Sequence, residues 1–183
     1  MKSTLYVSRI ETKLGSMVAG VTEQAVLFLE FQKGNLVERK LELLHQNITL
    51  DIQINRKGLH DEIQQQMDEY FSGMRTDFDL PLQTVGTKFQ SKVWNLLLTV
   101  PAGQTISYTD AAGYLSEYYT AEDVASSASS NHIMLLVPCH RLVGKDGSLV
   151  GYSGGLDRKK RLLEHEKDLT GISEVRDVTS NVS

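Results

Sequence analysis

Leu135-Leu136-Val137-Pro138-Cys139-His140-Arg141-Leu142-Val143 is an apolar run broken once, by a proline, a thiol, an imidazole and a guanidinium in succession. Cys139 is the only cysteine among 183 residues. A lone cysteine is most often a small buried hydrophobe, but the neighbours here suit a reactive one. Pro138 stiffens the chain directly before the thiol. His140 and Arg141 put a titratable ring and a fixed positive charge directly after it. Free thiols ionise near pH 8.5 or so, and nearby cations raise the thiolate fraction. A nucleophile also needs a base that is itself oriented by a third group. His140 is the candidate base, with Glu166 or Glu164 of the last predicted helix to orient it. Adjacent residues often point in different directions, so a water is the expected link between Cys139 and His140.

Working outward, Gly144, Gly147, Gly151, Gly154 and Gly155 punctuate a loop after the reactive stretch. A helix rich in Lys and Arg at 158–161 is predicted over 157–168, and residues 169–183, with few apolar side chains, read as a flexible tail. Upstream, helices are predicted over about 107–116 and 121–130, joined by a short polar turn in the layout of a helix-turn-helix. Thr87 is a predicted N-cap, Phe89, Val93, Trp94, Leu97 and Val100 form an apolar stripe, and Pro101 stops that helix. Gly103 marks a turn. Residues 74–85, containing Pro81, form a connector and the expected domain boundary.

Before it, residues 3–9, 16–21 and 25–32 are β-prone segments punctuated by Gly15 and Thr22-Glu23-Gln24, an antiparallel meander. Leu41, Leu43 and Leu44 fit strand or helix, while Ile52 and Ile54 alternate with polar neighbours as in a strand. Leu59, Ile63, Met67, Tyr70 and Phe71 recur at helical spacing, and that helix ends near Gly73. The expected class is α+β: a small N-terminal antiparallel-sheet domain over 1–80, then a helical domain over 86–168 containing the helix-turn-helix.

Bulk properties narrow the function. Apolar residues make up 40% and charged residues 23%, which suits a packed core rather than a disordered chain. The formal charge, 19 − 23 = −4, argues against coating nucleic acid by charge alone. No apolar run approaches the roughly 20 residues of a membrane span. Met1-Lys2-Ser3-Thr4-Leu5-Tyr6 lacks the pattern of a signal peptide. With one cysteine and no internal disulfide, an intracellular, reducing setting is expected. His45, His60, His132, His140 and His165 show no pair at zinc spacing, so neither a metal nor another cofactor is expected.

Residues 86–166 resemble the C-terminal domain of the O6-alkylguanine-DNA alkyltransferases, the methylated-DNA–protein-cysteine methyltransferases. The matching text is Gly86-Thr87-Lys88-Phe89-Gln90, Val93-Trp94, Val100-Pro101-Ala102-Gly103, Thr105, Ser107-Tyr108, Asn131, Val137-Pro138-Cys139-His140-Arg141, Gly151-Tyr152-Ser153-Gly154-Gly155, Lys159, Leu162-Leu163 and Glu166. The resemblance implies a ribonuclease H-like N-terminal domain over 1–80. It also implies a DNA-repair activity in which Cys139 takes the alkyl group from O6-alkylguanine, with O4-alkylthymine as a second substrate, once per molecule. His140 would take the thiol proton through a water, with Glu166 behind it. Asn131 would hold local backbone. Tyr108 would help rotate the nucleotide and donate a hydrogen bond as guanine leaves. Ser153 and the backbone around Val137 and Cys139 would read the base edge, Tyr152 would wall the pocket, and Gly154 and Gly155 complete the substrate-binding set. A flipped base is required because its reactive edge lies inside the stack. The implied partner is alkylated double-stranded DNA, met by a monomer in the cytoplasm, or in the nucleus of a eukaryote.

One position departs from the family. Its recognition helix carries an arginine that fills the space left by the flipped base; counting back from Pro-Cys-His-Arg, that position holds Glu122, followed by Asp123. No Lys or Arg occurs from Val93 through His140. Ala125, Ser126, Ser127, Ala128, Ser129 and Ser130 make the helix slim. The DNA-facing candidates are Tyr108, Glu122, Ser126 and Arg141, and most of Arg158 to Arg161 read as a solvated face. Repair with weakened duplex affinity is the leading expectation. The alternative is a relative with altered substrate, or one that binds alkyl lesions without reacting, although known lesion-binding relatives replace the cysteine. A cysteine hydrolase is the third class.

Overall fold

The computed structural model describes residues 3–32, 35–47 and 50–171. The chain divides into two compact units: Met1–Val85 with His132–Met134, and Gly86–Asn131 with Leu135–Ser183.

In the first unit, β1 (Ser3–Ile10), β2 (Met17–Val21) and β3 (Val26–Phe31) form the expected antiparallel meander, with Val7 opposite Gly20 and Ala19 opposite Leu29. The ambiguous segment is a helix, α1 (Leu36–Asn47), followed by β4 (Leu50–Ile54). β4 pairs parallel to β1, Leu5 opposite Ile52, so the sheet β3-β2-β1-β4 is mixed rather than wholly antiparallel as expected. The reason is the connection. A tight turn returns the chain antiparallel, whereas a crossover helix such as α1 lets the next strand run parallel. Leu44 of α1 packs with Leu5, Leu27 and Phe28.

α2 (Gly58–Ser72) buries Ile63, Met67, Tyr70 and Phe71, the stripe predicted from their spacing, and packs on β1 and β2. It ends at Gly73, whose φ of 89° is the left-handed region glycine tolerates. His60 is buried in the same helix; its Nδ1 accepts from the Lys57 amide at 3.0 Å. The connector is more than a spacer, because its Leu82 pairs with Val26; Ile133, from the separate 132–134 segment of the same unit, pairs with Leu29. These additions cover the outer edge of β3, which is buried along its length.

The second unit contains α3 (Lys88–Thr99), β5 (Ile106–Ser107), α4 (Tyr108–Leu115), α5 (Ala121–Ser129), β6 (Leu142–Val143) and α6 (Leu156–Thr170). Thr87 caps α3 with Gln90 in a reciprocal capping box, as its position implied. Ser107 caps α4, and Thr120 caps α5 in a box with Asp123. α4 and α5 pack together as the helix-turn-helix, and α3 packs on α5, where the Trp94 indole N–H donates to the Ser127 carbonyl at 2.9 Å. β5 and β6, too short to read in the sequence, pair in parallel. α6 runs two residues beyond its predicted end and stops at Gly171; residues 172–183 of the expected tail lie outside the described residues.

Candidate active site

Pro138 has φ −83° and ψ 62°, the centre of an inverse γ-turn in which the Cys139 amide donates to the Val137 carbonyl at 2.8 Å. Cys139–Arg141 then form a single turn of 3-10 helix leading into β6. Proline suits the first position because its ring fixes φ near this value. Asn131 locks the result, its amide nitrogen donating to the Val137 carbonyl at 2.9 Å and lying 3.2 Å from Cys139 Sγ. A donor aimed at sulfur favours the thiolate.

Next to the thiol, His140 and Glu166 are both buried, with Nε2 2.9 Å from Oε1. Arg141 closes on the same carboxylate, donating Nη2 to Oε1 at 2.8 Å and Nε to Oε2 at 3.0 Å, and its Nη1 donates to the Val100 carbonyl. The Gly103 amide donates to Oε2 at 3.1 Å. Burial alone would raise the Glu166 carboxyl, but the bonds and charges of His140 and Arg141 outweigh it and hold it well below the usual carboxylate range. Burial lowers the imidazole of His140, the attraction of Glu166 opposing that only in part. A neutral ring donating Nε2–H to an anionic carboxylate leaves the Nδ1 lone pair for a proton, and Nδ1 is buried with no hydrogen-bond partner among the described residues. That is the arrangement of an oriented general base.

Cys139 lines a cavity of about 210 Å³ with Tyr108, Ala125, Ser126, Ala128, Ser129, Gly151, Tyr152 and Ser153. The Tyr108 hydroxyl lies 3.1 Å from the Val150 carbonyl and 3.3 Å from that of Gly151. Burial, then the charge at Cys139, push the phenol up to about 12, so it remains a protonated donor. A Cβ on Gly151, at φ 56°, would lie 3.2 Å from that hydroxyl. Lys159 is fully buried on α6, and its ammonium donates to the same two carbonyls at 2.6 and 3.0 Å. Burial brings it down to about 8, the charge at Cys139 acting the other way.

The sequence-predicted residues therefore separate into groups. Cys139, Tyr108, Ser126, Tyr152 and Ser153 meet at the cavity. Asn131, His140 and Glu166 stand behind the thiol. Glu164 is exposed, 3.9 Å from Lys160, which leaves Glu166 as the partner of His140. Val137, Gly154 and Gly155 do not line the cavity. The Val137 carbonyl is engaged by Asn131 and Cys139, and the Gly154 carbonyl accepts from Arg158 Nη1 at 2.9 Å. Arg141, expected to face DNA, is instead buried, because its guanidinium is committed to Glu166 and Val100. Of the basic run 158–161, most of which was expected to be a solvated face, Lys159 is fully buried. Lys159, Leu162 and Glu166 are the buried residues of α6. Their three- and four-residue spacing was the available signal, masked by the flanking charges.

Residues 88–168 match the family model described as the 6-O-methylguanine DNA methyltransferase, DNA binding domain. A methylated-DNA–protein-cysteine methyltransferase of Mycobacterium leprae is 46% identical over 60% of this chain and 67% of its own length. The chain thus spans about two thirds, or slightly less, of the mycobacterial relatives it matches. The Methanosarcina barkeri protein of the same name is 34% identical over 90% of this chain and 98% of its own. The crystal structure of Mycobacterium tuberculosis OGT in complex with DNA superposes with a TM-score of 0.73 at 29% identity, covering 90% of this chain and 94% of that one. A thiol lining a cavity, a buried histidine–glutamate pair beside it and a near full-length match converge: the chain belongs to the methylated-DNA–protein-cysteine methyltransferase family.

Proposed function

We propose that this protein repairs O6-alkylguanine in DNA by moving the alkyl group to its own Cys139, once per molecule. The observation that carries the reading is that the thiol lines a cavity while a neutral histidine, oriented by a buried carboxylate, sits next to it in the chain. The thiol proton passes through a water to His140 Nδ1. Sulfur then attacks the alkyl carbon, the S–C bond forming as the C–O6 bond breaks. Guanine leaves with its electron pair and recovers one proton. Tyr108, protonated throughout, re-aims its hydroxyl from the 150–151 carbonyls to the departing base. The thioether is stable, so no second cycle follows.

Asn131 orders the Cys139 turn, while Tyr152 and Ser153 supply the pocket's wall and edge contacts. The DNA partner reaches the cavity over α5, where Ser126 lies. The reaction needs a reduced thiol, which suits the cytoplasm, or the nucleus of a eukaryote. No helix among the described residues is long and apolar enough to cross a membrane. No observation favours binding without reaction, since the thiol is present and faces the cavity.

Intact-mass spectrometry after incubation with an O6-methylguanine oligonucleotide is expected to show one added methyl on the peptide containing Cys139, and none in Cys139→Ala. The same measurement with O4-methylthymine tests the second substrate. No mass gain with either oligonucleotide or with free O6-benzylguanine would overturn the proposal.

A further inference from the structure

The cavity is walled on one side by Ala125, Ser126, Ala128 and Ser129, so a strand delivering a base to it must run over the exposed face of α5. Glu122 lies four residues before Ser126 and seven before Ser129, on that same face. Its carboxylate has no hydrogen bond or ion pair among the described residues. Of the motif's other carboxylates, Asp123 accepts from the Thr120 amide at 2.9 Å and Asp110 is bonded to Ser107, while Glu117 in the turn, like Glu122, has no hydrogen bond or ion pair among the described residues. Residues 93–140 contain no Lys or Arg, and none of the cavity-lining residues is basic; Arg158 donates its Nη1 to the Gly154 carbonyl beside the cavity-lining Ser153. Lys159 is buried on carbonyls and Arg141 on Glu166. The small side chains of α5 also offer nothing to occupy a gap in a base stack.

Paired DNA asks for what this face lacks. A duplex presents one negative charge about every 1.7 Å, and its affinity comes largely from cationic side chains that displace counterions. A paired base must also be unstacked before it can enter a pocket, a cost smallest for a base that is already single-stranded. We propose that Glu122 sets a strand preference, and that the substrate of the cavity is an alkylated base in single-stranded DNA rather than in intact duplex. This inference rests on the transferase reading.

The test compares initial transfer rates for one O6-methylguanine oligonucleotide, single-stranded and annealed to its complement, at two salt concentrations. It uses wild type, Glu122→Gln and Glu122→Arg, each normalised to its own rate with free O6-benzylguanine. The single strand is expected to react at least about tenfold faster in wild type. Glu122→Arg is expected to shrink that ratio and to steepen the salt dependence on duplex by about 0.9 in log–log slope, with Glu122→Gln between. Duplex reacting as fast as the single strand in wild type, or a ratio indifferent to both substitutions, overturns the inference while leaving the transferase reading intact. Failure to react with the free base and with both oligonucleotides overturns the two together.

Discussion

Glu166→Gln removes a single charge from the network that orients the base. The carboxylate accepts from His140 Nε2, from Nε and Nη2 of Arg141, and from the Gly103 amide, all within 2.8–3.1 Å for the shorter contact of each group. Glutamine has nearly the same shape, so no cavity opens. What changes is that Arg141, almost wholly buried, keeps a charge with no counter-charge. Breaking one side of a buried pair typically destabilises by about 3–5 kcal/mol. For a chain of this size that lowers the melting temperature by on the order of 10 °C. Trp94, the only tryptophan, is buried in the same unit, so its fluorescence reports the relevant unfolding.

The acid limb gives a second readout. The folded Glu166 lies below its ordinary value of 4.5, so its stabilisation is complete above that pH and is lost as the pH falls through the folded value. The variant should lack that loss. Transfer should also slow by about tenfold or more, since Nδ1 loses the anion that supports its basicity. A destabilisation below about 1 kcal/mol, the size of a solvent-exposed pair, together with an unchanged transfer rate, would refute the claim that this network orients the base.

Asn131→Ala should free the Val137 carbonyl and remove the donor beside sulfur. Iodoacetamide labelling of Cys139 should then shift to higher pH, and an unshifted profile would deny Asn131 that role. Tyr108→Phe keeps the ring and deletes the donor, so transfer to DNA should fall by about tenfold or more without loss of fold, as checked by single-turnover kinetics and circular dichroism. Because burial lowers His140 below 6.5, the base stays neutral through the neutral range. Transfer should therefore hold constant as the pH drops to 6.5 and decline only below it, whereas a decline centred above 6.5 would mean the imidazole is charged when folded. Gly151→Ala places a side chain at positive φ against the Tyr108 hydroxyl, which should cost about 1 kcal/mol or more in urea unfolding and slow transfer as well.

Local chemistry was legible from the chain alone. Thr87 as a cap, the α2 stripe ending at Gly73, the helix-turn-helix and the thiol-imidazole-guanidinium succession depend on spacing over a few residues, and spacing is what a sequence records. Glu166 as partner of His140 was one of two candidates, since Glu164 sits on the same helix and only packing decides which faces inward. The direction of β4 could not be read, because strand pairing depends on where a crossover helix returns the chain. Arg141 was expected to face DNA, and the charges around Lys159 gave no sign that it turns inward. In the folded protein each is buried where carbonyls and a carboxylate replace water as partners, and those partners come from segments distant in the chain. The primary structure determined which groups were available for chemistry; tertiary packing decided which charges are turned inward around the thiol and the imidazole, and which, like Glu122, stay exposed on the surface.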